Sequence, residues 1–167
     1  LRGPRSGIIF MKNNDGIVEK IHNAVFPGLQ GGPHNNQIGA LALQFKLANT
    51  DEFKEYIQNV KSNAKTMAEK LKSLGYKLST DGTDNHLILI KLKNFGITGS
   101  KMEKVCELVN ISLNKNTVPG DKSALHPSGI RIGTSCMTTR NISEYGLKKI
   151  ALWLKDCVNI CIKRQNK

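Results

Sequence analysis

The sequence predicts an α+β module, a small sheet covered by helices, that follows the tail of a larger domain. Three observations predict it. Residues 53 to 74 carry one unbroken apolar stripe at helical spacing. Beyond Gly75 the chain alternates strand-like and helix-like runs. The first forty residues offer one apolar run and one short helical pattern, too little to enclose a core of their own.

Taken in order, Gly7-Ile8-Ile9-Phe10-Met11 reads as a short buried strand. Asp15 to Val25 reads as a short helix, with Ile17 and Ile21 four apart. Phe26-Pro27-Gly28-Leu29-Gln30-Gly31-Gly32-Pro33-His34 packs two prolines and three glycines into nine residues, which predicts an ordered loop rather than helix or strand. Ile38, Leu41, Ala42 and Phe45 return to helical spacing. Phe53, Ile57, Val60, Ala64, Met67, Leu71 and Leu74 form the clearest helical face; Thr50 or Asp51 can cap its start and Gly75 its end. Asn85 to Leu92 reads as a strand. Ser100-Lys101-Met102-Glu103 has the form of a capping box and opens a helix to about Val109. Ile111 to Val118 reads as a strand that ends at the Pro119-Gly120 turn, and Gly129 to Thr134 as another. Asn141-Ile142-Ser143-Glu144 is again box-like, and the helix after it presents Leu147, Ile150, Ala151, Leu154, Cys157, Val158 and Cys161 to the core.

A net charge of +12 admits nucleic acid, a membrane surface or an anionic substrate as partner. The lysines are scattered at solvent-facing positions and form no arm, and one tryptophan and three tyrosines leave little to stack on bases. That pattern argues against nucleic acid as a main partner. No apolar run approaches the length of a membrane helix, and no signal-peptide pattern opens the chain. The chain opens on Leu1 rather than Met, so residues ahead of it are expected in the complete protein. Of Cys106, Cys136, Cys157 and Cys161, none form a C-x-x-C pair; the last two share a helix face and read as small buried apolar residues in a reducing, intracellular context. No metal-ligand set is legible.

Four stretches are candidates for chemistry. Gly28 to Gly32 could turn successive backbone N–H groups toward a phosphate, although a tight turn without ligand is the commoner outcome. Asn114-Lys115-Asn116-Thr117 places two amides at a strand end; they suit either the edge of a heterocycle or the turn itself. Arg131 lies inside an apolar strand between Gly129 and Gly133, where its fork could grip a carboxylate or phosphate or sit in a buried ion pair. Leu1 to Gly7 is a basic glycine-proline turn leading into the first strand, or an ordinary surface turn. The four histidines, His22, His34, His86 and His126, are scattered, and neither a nucleophile triad nor a carboxylate pair is visible.

Together these stretches resemble one family, the serine hydroxymethyltransferases. Leu1-Arg2-Gly3-Pro4-Arg5-Ser6-Gly7 is similar to the segment that follows that family's cofactor-bearing lysine. Phe26 to His34 is similar to its glycine loop almost letter for letter. Asp84-Asn85-His86-Leu87-Ile88-Leu89, then Asn114 to Pro119, then Ser128-Gly129-Ile130-Arg131-Ile132-Gly133-Thr134 follow in the family's order. The resemblance covers essentially the whole chain; Ser135-Cys136 departs from the Pro-Ala common there.

The resemblance implies an α/β, aminotransferase-like enzyme of fold type I that uses pyridoxal phosphate. It implies that residues 1–40 are the tail of the large cofactor-binding domain, 41–75 connecting helices and 76–167 the small C-terminal α+β domain. It implies that serine and glycine are interconverted, with tetrahydrofolate accepting the one-carbon unit. Arg131 is then expected to hold the substrate carboxylate, Gly31 and Gly32 the cofactor phosphate, Asn116 the pterin ring, and Phe26 the folate site, with Arg5 near the cofactor. A homodimer or tetramer with shared sites is implied, in the cytoplasm or the mitochondrion. The cofactor lysine would lie two residues before Leu1, so the chain alone is expected to be inactive. Two other classes compete: another fold-type-I enzyme such as a threonine aldolase, and a non-enzymatic basic module for binding or dimerisation. Folate dependence separates the first, and a salt-dependent response to nucleic acid the second.

Overall fold

The computed structural model describes residues 1–13 and 16–164. Its chain falls into two compact units, Leu1–Lys54 and Glu55–Lys167.

In the first unit, α1 (Ile17–Asn23) begins after Gly16, whose φ of 76° suits glycine. The expected start of this helix at Asp15 lies outside the described residues. A wide-wound turn, Ala24–Leu29, follows, broken at Phe26, whose φ of −134° and ψ of 125° are extended; the Phe26–Pro27 peptide is cis. The loop expected there is thus wound over its first half and irregular only from Gln30 to His34. Next, α2 (Asn35–Ala48) leads to α3 (Asp51–Ser73), which crosses into the second unit. Thr50, rather than Asp51, caps α3, its hydroxyl accepting the Phe53 N–H at 3.3 Å.

One expectation fails in this unit, while α2 forms where the helical spacing of Ile38 to Phe45 puts it. Residues 7–11 form no strand, and Ile8, Ile9 and Phe10 are exposed, Phe10 at 90%. A strand needs a neighbour to take its backbone hydrogen bonds, and no strand lies within residues 16–54. Ile38 and Phe45 on α2 are also exposed, and the buried residue of that helix is Gln44.

The second unit holds a four-stranded sheet in the order β1-β2-β4-β3, with β1 (Lys77–Leu78), β2 (Leu87–Lys91), β3 (Asn114–Asn116) and β4 (Gly129–Gly133). Every neighbouring pair is antiparallel. One face is dry. Ile88 and Ile90 of β2 and Ile130 and Ile132 of β4 pack under Met67, Ala68 and Leu71 of α3. Met102 and Cys106 of α4 (Gly99–Leu108) and Leu147, Leu154 and Val158 of α6 (Glu144–Lys163) complete the core. Each such aliphatic side chain contributes roughly 1.5–3 kcal/mol by leaving water. The apolar positions expected on the last helix are all buried except Ile150, which is half-buried.

Gly75 ends α3 as expected, at φ 89°, with its own N–H donating to Lys72 and that of Tyr76 to Leu71. The capping-box readings fail in detail. Thr98, two residues ahead of Ser100, caps α4 by accepting the Lys101 N–H, and Ser143, not Asn141, caps α6 by accepting that of Gly146. Three elements of this unit were not expected: the short β1, a 3-10 turn at Lys93–Phe95 and α5 (Ser135–Thr139). The strands are also shorter than the sequence suggests, β3 above all.

Cys106, Cys157 and Cys161 are buried, and burial pushes all three thiols up, so they serve as small apolar residues; Cys136 is exposed. No helix among the described residues is long and apolar enough to cross a membrane.

Candidate functional site

The pleat decides what the sheet offers. Ile130 and Ile132 point into the core, so Arg131 between them points to the opposite face, where it is exposed. This excludes the buried ion pair. Among the described residues no side chain hydrogen-bonds or ion-pairs with the Arg131 guanidinium. Register places Leu89 opposite it on β2 and Asn114 opposite it on β3. Directly opposed side chains on one face start about 5 Å apart, so Asn114, not Asn116, is the nearer cross-strand amide. Asn116 stands two rungs along, opposite Gly129, and its Nδ2 donates to the Thr117 carbonyl at 2.7 Å.

The rest of that face is half apolar and half cationic. Leu87 and Leu89 are half-buried, and Lys77 and Lys91 oppose each other at the far edge. The four strands contain no carboxylate. An unpaired, forked cation over a partly apolar floor, with amides beside it, is suited to a planar anion attached to a less polar body.

The end of the arginine strand is anchored through hydroxyls. Thr134 is buried; its N–H donates to the His86 carbonyl at 3.0 Å and its hydroxyl to the Val60 carbonyl at 2.9 Å. The Thr138 hydroxyl donates to the Thr134 carbonyl and accepts from Asn63 Nδ2, both at 2.9 Å. These bonds explain α5, whose short sequence has little helical preference of its own.

The loop joining β3 to β4 is held by Asp121, which the sequence reading passed over. Its side chain is only 5% exposed. Hydrogen bonds from the Ser128 hydroxyl, then the Ser128 N–H, then the Val118 N–H hold its carboxyl well below the usual carboxylate range. The stabilisation is complete above the ordinary carboxylate pKa and is lost only as pH falls through the depressed folded-state value. The available signal was an Asp directly after Pro119-Gly120, which marks a turn but not what the turn closes on.

The first unit carries the other candidates, described by themselves. Gly31 and Gly32 are exposed, and among the described residues neither N–H is used in a hydrogen bond. A Cβ built on either would meet nothing within 4 Å, so their backbone can be approached closely. Phe26 is 58% exposed at the kink. Arg5 is exposed and unpaired among the described residues. Arg2 stacks 5.6 Å from the centre of the Phe53 ring. Arg131 and Asn116 thus share a face of the second unit, while Arg5, Phe26, Gly31 and Gly32 belong to the first.

Residues 1–154 match the family model described as serine hydroxymethyltransferase. The chain is 49% identical over 169 residues to a Plasmodium falciparum protein named serine hydroxymethyltransferase, covering 100% of this chain and 38% of that one. It is 48% identical to the chloroplastic serine hydroxymethyltransferase 3 of Arabidopsis thaliana, covering 98% of this chain and 32% of the relative. It is 47% identical to the cytosolic serine hydroxymethyltransferase of Neurospora crassa, covering 96% and 36%. The chain therefore spans about a third of the length of the curated relatives it matches.

Proposed function

The chain belongs to the serine hydroxymethyltransferase family, and on that premise we propose that the complete protein interconverts serine and glycine, passing the hydroxymethyl carbon to tetrahydrofolate. The observation that carries the proposal is Arg131, an unpaired guanidinium on the open face of the sheet, flanked by Asn114 and two rungs from Asn116. Two parallel N–H···O bonds from its fork fix a carboxylate in position and in plane. The remaining rotation of the amino acid is then restricted, and the bond to be broken can be held in one orientation.

Pyridoxal phosphate supplies the electron sink for cleavage at the amino acid's α-carbon. Gly31 and Gly32 fit its phosphate, because their N–H groups are unspent and their backbone is open to close approach. Arg5 adds positive charge on the cofactor side. Phe26 offers an exposed ring to the folate, and Asn116 an amide to the pterin edge. Residues 1–40 are assigned to the end of the large domain of a fold-type-I enzyme, 41–75 to connecting helices and 76–167 to the small domain. Exposed Ile8, Ile9, Phe10 and Leu29 support this, since they are surfaces that further polypeptide would cover. Assembly as a homodimer or tetramer with shared active sites, in the cytoplasm, completes the proposal; the Neurospora crassa relative is named cytosolic.

Asn116→Ala in the complete protein tests the folate side. Losing an amide that both donates and accepts is expected to raise the KM for tetrahydrofolate about ten-fold. It is expected to harm cleavage of a β-hydroxy amino acid without folate less. Equal losses in steady-state assays of the two reactions would remove Asn116 from the pterin site.

A further inference from the structure

We propose that Asp121 is a positioning residue for the folate side of the site, tying both ends of the loop between β3 and β4 to one carboxylate and so holding Asn116 in register with Gly129. The inference rests on the function proposed above.

Strand β3 needs outside help. It has three residues, lies at the sheet edge, and is read at its last rung, Asn116 opposite Gly129. Behind that rung the chain leaves the sheet and returns at Ser128, whose carbonyl accepts the Leu92 N–H at 2.9 Å. The loop contributes little core of its own: Val118 and Pro127 are buried, while Leu125 is 82% exposed. Such a loop frays, and the fraying reaches Asn116 first.

Asp121 prevents this from within the loop. Its Oδ2 accepts the Val118 N–H at 3.0 Å and the Ser128 N–H at 2.9 Å. Val118 is two residues past Asn116, and Ser128 is the residue before Gly129, so a single oxygen joins departing and returning strands. Oδ1 accepts the Ser128 hydroxyl and lies 3.1 Å from Lys93 Nζ, which also donates to the Gly120 carbonyl at 3.0 Å. The Asp121 N–H closes the turn onto the Val118 carbonyl at 3.0 Å. On the other side of β3, Glu103 of α4 accepts the Lys115 N–H at 2.9 Å. Asn116 is therefore gripped before and after.

Two features separate this role from a binding role. The carboxylate's acceptor sites are already filled by groups of the chain itself, leaving none for a ligand. Its side chain is almost wholly buried, so substrate does not reach it. What it can change is where Asn116 sits. Arg131, in the middle of β4 and hydrogen-bonded through β2, does not depend on the clasp.

The test is steady-state kinetics of the full-length, cofactor-loaded enzyme with Asp121→Asn, varying tetrahydrofolate and serine separately. An amide removes the charge that strengthens all four bonds and sets its N–H groups either against Lys93 or against the Val118 and Ser128 N–H groups, so the clasp weakens. The KM for tetrahydrofolate is expected to rise about ten-fold, with the KM for serine within about two-fold of wild type. If Asp121→Asn does not fold, Lys93→Met and Ser128→Ala carry the test; each removes one Oδ1 partner and spares both backbone bonds. They are expected to give the same one-sided rise, smaller in size. Variants that move neither constant, or both equally, would overturn the positioning role alone. A wild-type enzyme that forms glycine regardless of tetrahydrofolate would overturn the proposed function and this inference with it.

Discussion

Arg131→Ala in the complete protein is expected to lower kcat/KM for serine roughly a hundred- to thousand-fold, about 3–4 kcal/mol of lost transition-state stabilisation. Most of the effect should fall on KM, with kcat reduced as well, because an amino acid without its anchor binds weakly and also rotates out of line. Size follows from the charge-assisted pair: the guanidinium spends no hydrogen bond on any described residue, so its full fork is available to the substrate. Arg131→Lys should recover only part of the loss, since a point charge does not reproduce the fork. The sheet should tolerate both changes, because the side chain lies on the open face and contributes nothing to the core. Steady-state kinetics that match wild type would remove Arg131 from the site.

Gly129→Ala is expected to have the largest effect on folding. Gly129 sits between two strands and beneath the loop. A Cβ there would lie 2.4 Å from Val118 Cγ1, 2.8 Å from the Ile90 carbonyl oxygen and 3.0 Å from that of Asn116. Two of the three obstacles are backbone, and Val118 is itself buried, so neither can step aside cheaply. The helix side is as tight, since a Cβ on Gly99 would come within 2.1 Å of the Gly129 carbonyl oxygen. Overpacking of this kind costs about 1–3 kcal/mol. It should separate β3 from β4 at the rung that bears Asn116. Thermal unfolding of the full-length variant checks this, with an expected fall in Tm; an unchanged Tm would mean the strands accept the methyl group without shifting.

Most of the second unit is legible in the sequence, because periodicity reports burial and burial is what its elements have in common. The stripe from Phe53 to Leu74 and the face from Leu147 to Cys161 both lie where spacing puts them, apart from half-buried edges at Ile57, Leu74 and Ile150. The first unit is less legible for the same reason. Ile8-Ile9-Phe10 has the composition of a strand, but composition does not supply the neighbour that would pair with it. The cap of α4 was misplaced to Ser100, because Thr98 and Ser100 are equivalent as hydroxyls. The helix begins at Gly99, one residue after Thr98, and Gly99 packs closely against the Gly129 carbonyl. Of the site, Arg131 is legible as an odd residue in an apolar strand, yet whether it faced inward or outward rested on the pleat. Asp121 was legible only as a turn residue, since its partners at Val118 and Ser128 meet only once the loop has closed.

The measurement that bears most directly on the account is glycine formation from serine by the full-length protein supplied with pyridoxal phosphate, with and without tetrahydrofolate. The account predicts formation that requires both, and that Arg131→Ala reduces to a small fraction in the same assay. Glycine formed at one rate with or without tetrahydrofolate, or no glycine formed by a protein that has bound the cofactor, would contradict it.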